Sequence, residues 1–190
     1  MNKVYQREDH QYFEKTADEV ARWLLGKVLC RRISENEILR FRITETEAYG
    51  DIDGHVDSAC HANKYKSGNA VITQRMTGGT IYVHYRNNNY PGSSFDIVAG
   101  ESGEVQSVLI RGAIDLDVAK KYNQIRKLGE ALHIDYETLN QAYLLDSKEL
   151  WLEDDGFDTE GKIDTPKKRI RLGKADIEDI NALRRFILNV

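Results

Sequence analysis

Apolar and polar positions alternate along "KVLCRRI" (27–33) and "EILRFRITETEAY" (37–49). A period of two sends successive side chains to opposite faces, as in a strand. The turn-like "SENE" between them predicts a pair of neighbouring strands. Upstream the period changes. In "TADEVARWLLGK" the apolar Val20, Trp23 and Leu24 form a helical stripe, Thr16 and Glu19 make a capping-box pattern, and Gly26 is a natural stop. "GGTIYVHY" (78–85) and "SVLIRGAI" (107–114) predict further strands, with "NNNYPGSS" (87–94) as a turn-rich tip between them. Residues 118–134 and 135–145 read as helices, "ELWLED" and "KKRIRL" as short strands, and 176–188 as a helical or mixed end. Strands cluster in the middle and helices flank them. We therefore expect an α+β fold with a curved, mostly antiparallel sheet rather than a βαβ repeat. No repeat or linker divides residues 1–190, so one domain is expected.

Composition narrows the class. Hydrophobic residues make up 41% of the chain and charged residues 31%, as in ordinary globular proteins. No apolar run is long enough to span a bilayer. "MNKVYQREDHQYF" lacks the apolar core of a signal peptide, which argues against secretion. Two cysteines, Cys30 and Cys60, give no disulfide framework and suit a reduced cytoplasmic setting. His55, Cys60 and His61 match no common zinc spacing, so no metal is expected.

The net charge of −4 argues against nucleic acid only as an average. Residues 146–160 hold seven carboxylates, whereas Ser58 to Phe95 holds none. At the chain's mean density that window would carry about six. In their place stand Lys64, Lys66, Arg75, Arg86, five asparagines and four tyrosines, including Tyr85 and Tyr90. Cations, amides and aromatics without carboxylates suit a polyanion that also offers stacking faces. "KKRIRLGK" (167–174) is a second cationic stretch, readable as a solvated strand edge or as a phosphate contact.

The alternation in "RITETEAYG" puts Ile43, Glu45, Glu47 and Tyr49 on one strand face, followed by a loop carrying His55 and His61. From periodicity alone this is an exposed face or a catalytic carboxylate beside an aromatic. Together with "ARWLLGKVL", "SACHA", "GGTIYV", "VLIRGAI", "LWLED", "TPKKRIRL" and "LRRF", in that order over nearly the whole chain, it resembles the alkyladenine (3-methyladenine) DNA glycosylase family. The resemblance implies a mixed α/β domain whose curved antiparallel sheet carries a protruding β-hairpin. It also implies damaged double-stranded DNA as partner, no cofactor, a monomer, and a cytoplasmic, nucleoid-associated setting. By resemblance Glu47 matches the general base and Arg111 the arginine that helps hold the nucleophilic water. Tyr49 matches an aromatic that stacks on the flipped base, and His61 a pocket histidine. Tyr90, with Tyr85 as its rival, matches the intercalating tyrosine. The chain departs from the family pattern at two pocket positions, where His84 stands for a second stacking tyrosine and Asp96 for an asparagine.

The chemistry fits these residue types. A base inside a duplex must be extruded before its glycosidic bond is reached, and an aromatic wedge fills the gap. A carboxylate that takes a proton from water and stabilises an oxocarbenium-like sugar completes the hydrolysis. No Schiff-base lysine is suggested, so base release without strand incision is expected. Two other readings stand beside this one. One is a catalytically silent damaged-DNA-binding module. The other is a hydrolase of free nucleosides that uses Glu45 and Glu47 as a carboxylate pair. If Asp96 meets the base, an ionised carboxylate can only accept, which favours the donor edge of a modified guanine.

Overall fold

A computed structural model describes residues 2–84 and 93–190. Its framework is one antiparallel sheet. The strands are β1 (Lys3–Val4), β2 (Val28–Ser34), β3 (Glu37–Gly50), β4 (Ile81–Val83), β5 (Phe95–Val98), β6 (Gln106–Asp115), β7 (Lys120–Tyr122), β8 (Leu150–Asp154) and β9 (Arg185–Ile187). Their order is β1-β8-β2-β3-β6-β5-β4, with β7 on β6 and β9 on β3. The helices are short: α1 (Ala17–Leu24), α2 (His61–Lys64), α3 (Asn69–Thr73), α4 (Ile125–Ala131), α5 (Tyr136–Leu139) and α6 (Ile177–Asn181), with a 3-10 turn at Arg7–Tyr12. This is the expected α+β class with a curled antiparallel sheet. The segment joining β4 to β5, with Tyr85, Arg86 and Tyr90, lies outside the described residues. Among the described residues no helix is long and apolar enough to cross a membrane.

Helix α1 forms as its sequence predicts. The Thr16 hydroxyl accepts from the Glu19 amide, and Glu19 accepts from the Thr16 amide at 3.1 Å. Val20 and Leu24 are fully buried, Trp23 packs against the same cluster, and Gly26 ends the helix at φ +84°. The helix lies on β3, where the Thr46 hydroxyl donates to the Ala21 carbonyl at 2.9 Å. The β2–β3 register runs from Val28↔Arg42 to Ser34↔Glu37, which closes the expected strand pair.

Several elements differ from the sequence reading. The segment 118–134 is not one helix. Ala119 turns at φ +54°, β7 pairs with β6, Tyr122 packs 5.6 Å from Phe41, and only then does α4 begin. Cross-strand packing of Tyr122 outweighs the weak helical periodicity there. The second expected helix, 135–145, is limited to α5. Asn140 leaves it to bond the Val83 amide and Asn69, and Gln141 turns at φ +66° to donate to the Ile81 carbonyl. Residues 167–172 form no strand beyond the Lys167↔Arg185 bridge, because Arg169 is drawn into the interior and Arg171 turns at φ +60°.

The most consequential difference lies within β3. Ile43 pairs with Ala113, Glu45 with Gly112 and Thr46 with Ile110, so the ladder slips once beside Thr44 and once beside Arg111. Each such bulge adds one residue and exchanges the faces. Ile43 therefore joins Ala48 in the core, while Glu45, Glu47 and Tyr49 share the opposite face with Arg111. The expectation that Ile43 lies with the carboxylates is corrected by these bulges.

β3 ends at Gly50, where the strand passes close to Val105. A Cβ at Gly50 would lie 2.0 Å from the Val105 carbonyl oxygen, and φ is +120°. Gly50→Ala is expected to destabilise the fold by at least about 2 kcal/mol in urea unfolding. A change within about 0.5 kcal/mol would show that the approach relaxes freely.

Candidate active site

The bulged face of β3 meets a cavity of about 650 Å³ lined by Tyr49, His61, Lys64, His84, Asp96, Arg111 and Ile170–Leu172, among others. Glu47 lies just behind this wall and is 0% exposed. One of its oxygens accepts from the Tyr49 hydroxyl at 2.8 Å and from Arg111 Nη1 at 3.2 Å. The other accepts from the Ile170 amide at 2.9 Å. Arg111 also donates through Nε to Glu45 at 3.1 Å, and Arg185 on β9 donates to the same Glu45 oxygen at 2.7 Å. Glu45 is thus held by cations on both sides, as a strand-pairing carboxylate. Glu47 is the carboxylate shared between an aromatic hydroxyl and the arginine of the cavity wall. Burial, and then the Glu47 charge and hydrogen bond, raise the Tyr49 phenol well above its usual range. It remains a hydrogen-bond donor to Glu47 at any physiological pH.

A second group of side chains lines the same cavity. His84 Nε2 lies 2.7 Å from Asp96 Oδ1, and Asp96 Oδ2 accepts from Ser107 at 2.9 Å and from Gln74 at 3.2 Å. Asp96 is 3% exposed. Burial works to raise its carboxyl, but the His84 charge and hydrogen bond, with His61 and Ser107, outweigh it and hold the group below the usual carboxylate range. Every oxygen of Asp96 is engaged by the chain itself, so a direct hold on a guanine edge, as expected from sequence, would require one of these partners to yield. His61 Nδ1 lies 3.1 Å from the Tyr82 hydroxyl, and its ring is 4.9 Å from His84. Burial, reinforced by His84, pushes His61 down to about 4.

Sequence reasoning missed what holds these walls in place. Asp57 is 0% exposed and accepts from Arg169 at 2.5 and 3.0 Å, Arg184 at 3.3 Å, the Gly50 amide at 2.9 Å and the Ala59 amide at 3.0 Å. Burial works against the Arg169 charge, but hydrogen bonding and attraction to Asp57 outweigh it. The same guanidinium lies 4.7 Å from the centre of the Tyr49 ring. Of the stretch "KKRIRLGK", Arg169 is therefore not available for phosphate. Lys168 bonds Asn181, and Ile170, Arg171 and Leu172 line the cavity. The only sequence signal was an arginine alternating with apolar residues.

The nominated cations are split. Lys64 lines the cavity, Lys66 is exposed, and Arg75 is exposed and contacts the Gly103 carbonyl at 3.4 Å. Arg86 and the two candidate wedge tyrosines, Tyr85 and Tyr90, lie outside the described residues. Cys30 and Cys60 are free and buried. Among the described residues, no three His, Cys, Asp or Glu side chains converge on a metal-sized site.

The family model described as methylpurine-DNA glycosylase matches residues 11–189. A protein of Borrelia garinii subsp. bavariensis named "Putative 3-methyladenine DNA glycosylase" is 36% identical over 95% of both chains. Proteins with the same name from Borreliella burgdorferi (strain ZS7) and Natranaerobius thermophilus are 34% identical over 95% of both chains, and 29% identical over 95% of this chain and 94% of theirs. This chain belongs to the methylpurine-DNA glycosylase family.

The depressed His61 yields a prediction with a definite sign. Its folded pKa lies below the unfolded value, so the unfolded chain binds the extra proton first on acidification. The stability contribution is complete above about 6.5 and is lost as pH falls towards about 4. The His61 ring resonances, followed by NMR, are expected to titrate near 4. A midpoint at or above the ordinary histidine value would contradict the burial assigned here.

Proposed function

We propose that this chain is a monofunctional DNA glycosylase, acting as a monomer near the nucleoid without a cofactor, that extrudes a damaged purine from duplex DNA and hydrolyses its N-glycosidic bond. The observation that carries this reading is Glu47, bonded to Tyr49 and Arg111 at the wall of a cavity large enough for one base. In the proposed reaction the base enters against Tyr49. As the bond from C1′ to the base nitrogen breaks, its electron pair leaves with the base and positive charge develops on the sugar. The Glu47 anion stabilises that charge and takes the proton of the water that adds to C1′. Arg111 fixes the carboxylate in place. The hairpin tyrosine, Tyr90 by preference over Tyr85, would fill the vacated stack, and Lys64, Lys66, Arg75 and Arg86 would meet the phosphates.

One observation favours the binding-only reading. Both Glu47 oxygens already accept hydrogen bonds from the chain, so water must find the remaining lone pair on the oxygen bonded to Ile170. The nucleoside-hydrolase reading has less support, since Glu45 is committed to two cations, Arg111 and Arg185.

The experiment is single-turnover base release from duplexes that each carry one damaged purine. Glu47→Gln is expected to lower release by at least about 100-fold while changing lesion-duplex affinity by less than about threefold. Wild-type rates in Glu47→Gln, or loss in Glu45→Gln instead, would reject the assignment. Binding itself should weaken steeply with salt despite the net charge of −4. Neutralising Lys64, Lys66 and Arg75 together should reduce the slope of log K against log salt by about 2 to 3. An unchanged slope would place the DNA face elsewhere.

A further inference from the structure

The cavity lining includes a polar group on β5 and the end of β4, one strand beyond the β6 partner of Glu47. His84 presents its ring to the cavity while Asp96 holds Nε2, so Nδ1 is the ring nitrogen left for a ligand. Its backbone amide bonds the carbonyl of Ser94, which brings the Ser94 side chain alongside. Ser94 is 2% exposed and lines the cavity, yet among the described residues its hydroxyl has no hydrogen-bond partner. A buried hydroxyl left unpaired is costly and marks a place where a ligand completes the bonding.

The remaining surroundings set the charge that suits such a ligand. A cationic base is best held between electron-rich aromatic faces. Here a guanidinium already lies over the Tyr49 ring, and the His84 imidazole that lines the same cavity is tied to a carboxylate. Among the described residues Asp96 is the one carboxylate lining the cavity and is matched by His84, whereas Lys64 and Arg171 add positive charge to that lining. Of the groups packed on His84, Asp96 is held as a carboxylate, whereas His61 is held neutral and Tyr82 stays a phenol near neutral pH.

Resting on the glycosylase reading above, we propose that the His84–Asp96 pair is the proton donor to the leaving base, with Ser94 as its fixed hydrogen-bond neighbour, and that it selects uncharged purine lesions over cationic N-alkylated purines. An N-alkylated purine already carries the charge that makes it leave and needs no proton. An uncharged base does need one. The His84 imidazolium gives its Nδ1 proton to a ring nitrogen of the base as the C1′–N9 bond breaks. The bonding pair goes to the base, which departs neutral. Water adds its oxygen to C1′ and its proton to Glu47. Exchange with solvent then returns the proton from Glu47 to His84. Asp96 is a positioning residue, since its bond to Nε2 fixes the ring and leaves Nδ1 for the base.

The test compares single-turnover release of hypoxanthine, an uncharged lesion, with that of 7-methylguanine, a cationic one, in otherwise identical duplexes. Wild type is expected to release hypoxanthine faster than 7-methylguanine, with the hypoxanthine rate alone falling as pH rises. His84→Gln should lower hypoxanthine release at least about 30-fold more than it lowers 7-methylguanine release. Asp96→Asn should move the alkaline limb for hypoxanthine to lower pH, which a merely structural role would not do. Ser94→Ala should raise the half-saturating concentration of the hypoxanthine duplex more than it lowers the maximal rate. Equal losses on both substrates in His84→Gln, or an alkaline limb unmoved in Asp96→Asn, would overturn the proposal. Release of 7-methylguanine with none of hypoxanthine would overturn it while leaving the glycosylase reading intact. Release of neither, nor of any other damaged purine, would overturn both.

Discussion

The buried carboxylate of Asp57 is the interaction on which the site depends. It gathers Arg169 from the C-terminal loop, Arg184 from the approach to β9, and the backbone of Gly50 at the end of β3. Taking such charges out of water is costly, and only close, multiple hydrogen bonds offset it. Asp57 has those bonds, and breaking such a pair typically costs about 3–5 kcal/mol. Its worth here is positional. With Arg169 anchored, the chain turns at Arg171 and delivers the Ile170 amide to Glu47. The same guanidinium lies over the ring of Tyr49, whose hydroxyl reaches Glu47 from the other side. One ion pair therefore fixes two of the three groups that hold Glu47.

The third group, Arg111, is fixed by the sheet. Paired bulges in β3 and β6 exchange the faces of both strands at one level. Above them Ile43 and Ala113 belong to the core, and below them Glu45, Glu47 and Arg111 gather on the other side. Without the slip, the side chains that follow would point into the apolar cluster beneath α1. Bulges are a common means of re-aiming functional side chains. The cost of burying Glu47 is thus met by an arginine, a phenol and an amide set by three separate parts of the chain.

The fold class was legible because its strongest signals are local. The capping box of α1, its apolar stripe and the alternation of β2 and β3 all act within a dozen residues. The bulges were not legible, since they arise from pairing between β3 and β6, and alternation continues smoothly across them in the sequence. β5, "FDIV", was missed because an aspartate in a four-residue segment looks like a break until His84, Ser107 and Gln74 are seen to satisfy it. The motif around Glu47 and Tyr49 identified the candidate face. Asp57 and Arg169 stand 112 positions apart, and no local pattern announces such a pair.

The central claim is that Asp57, through Arg169, holds the loop amide against Glu47. The direct measurement is native-state hydrogen exchange at the Ile170 amide in wild type and in Asp57→Asn, read against the Val108 amide in the middle of β6. The account predicts that Asp57→Asn accelerates exchange at Ile170 by at least tenfold more than at Val108. Equal acceleration at both sites, or an unchanged rate at Ile170, would contradict it.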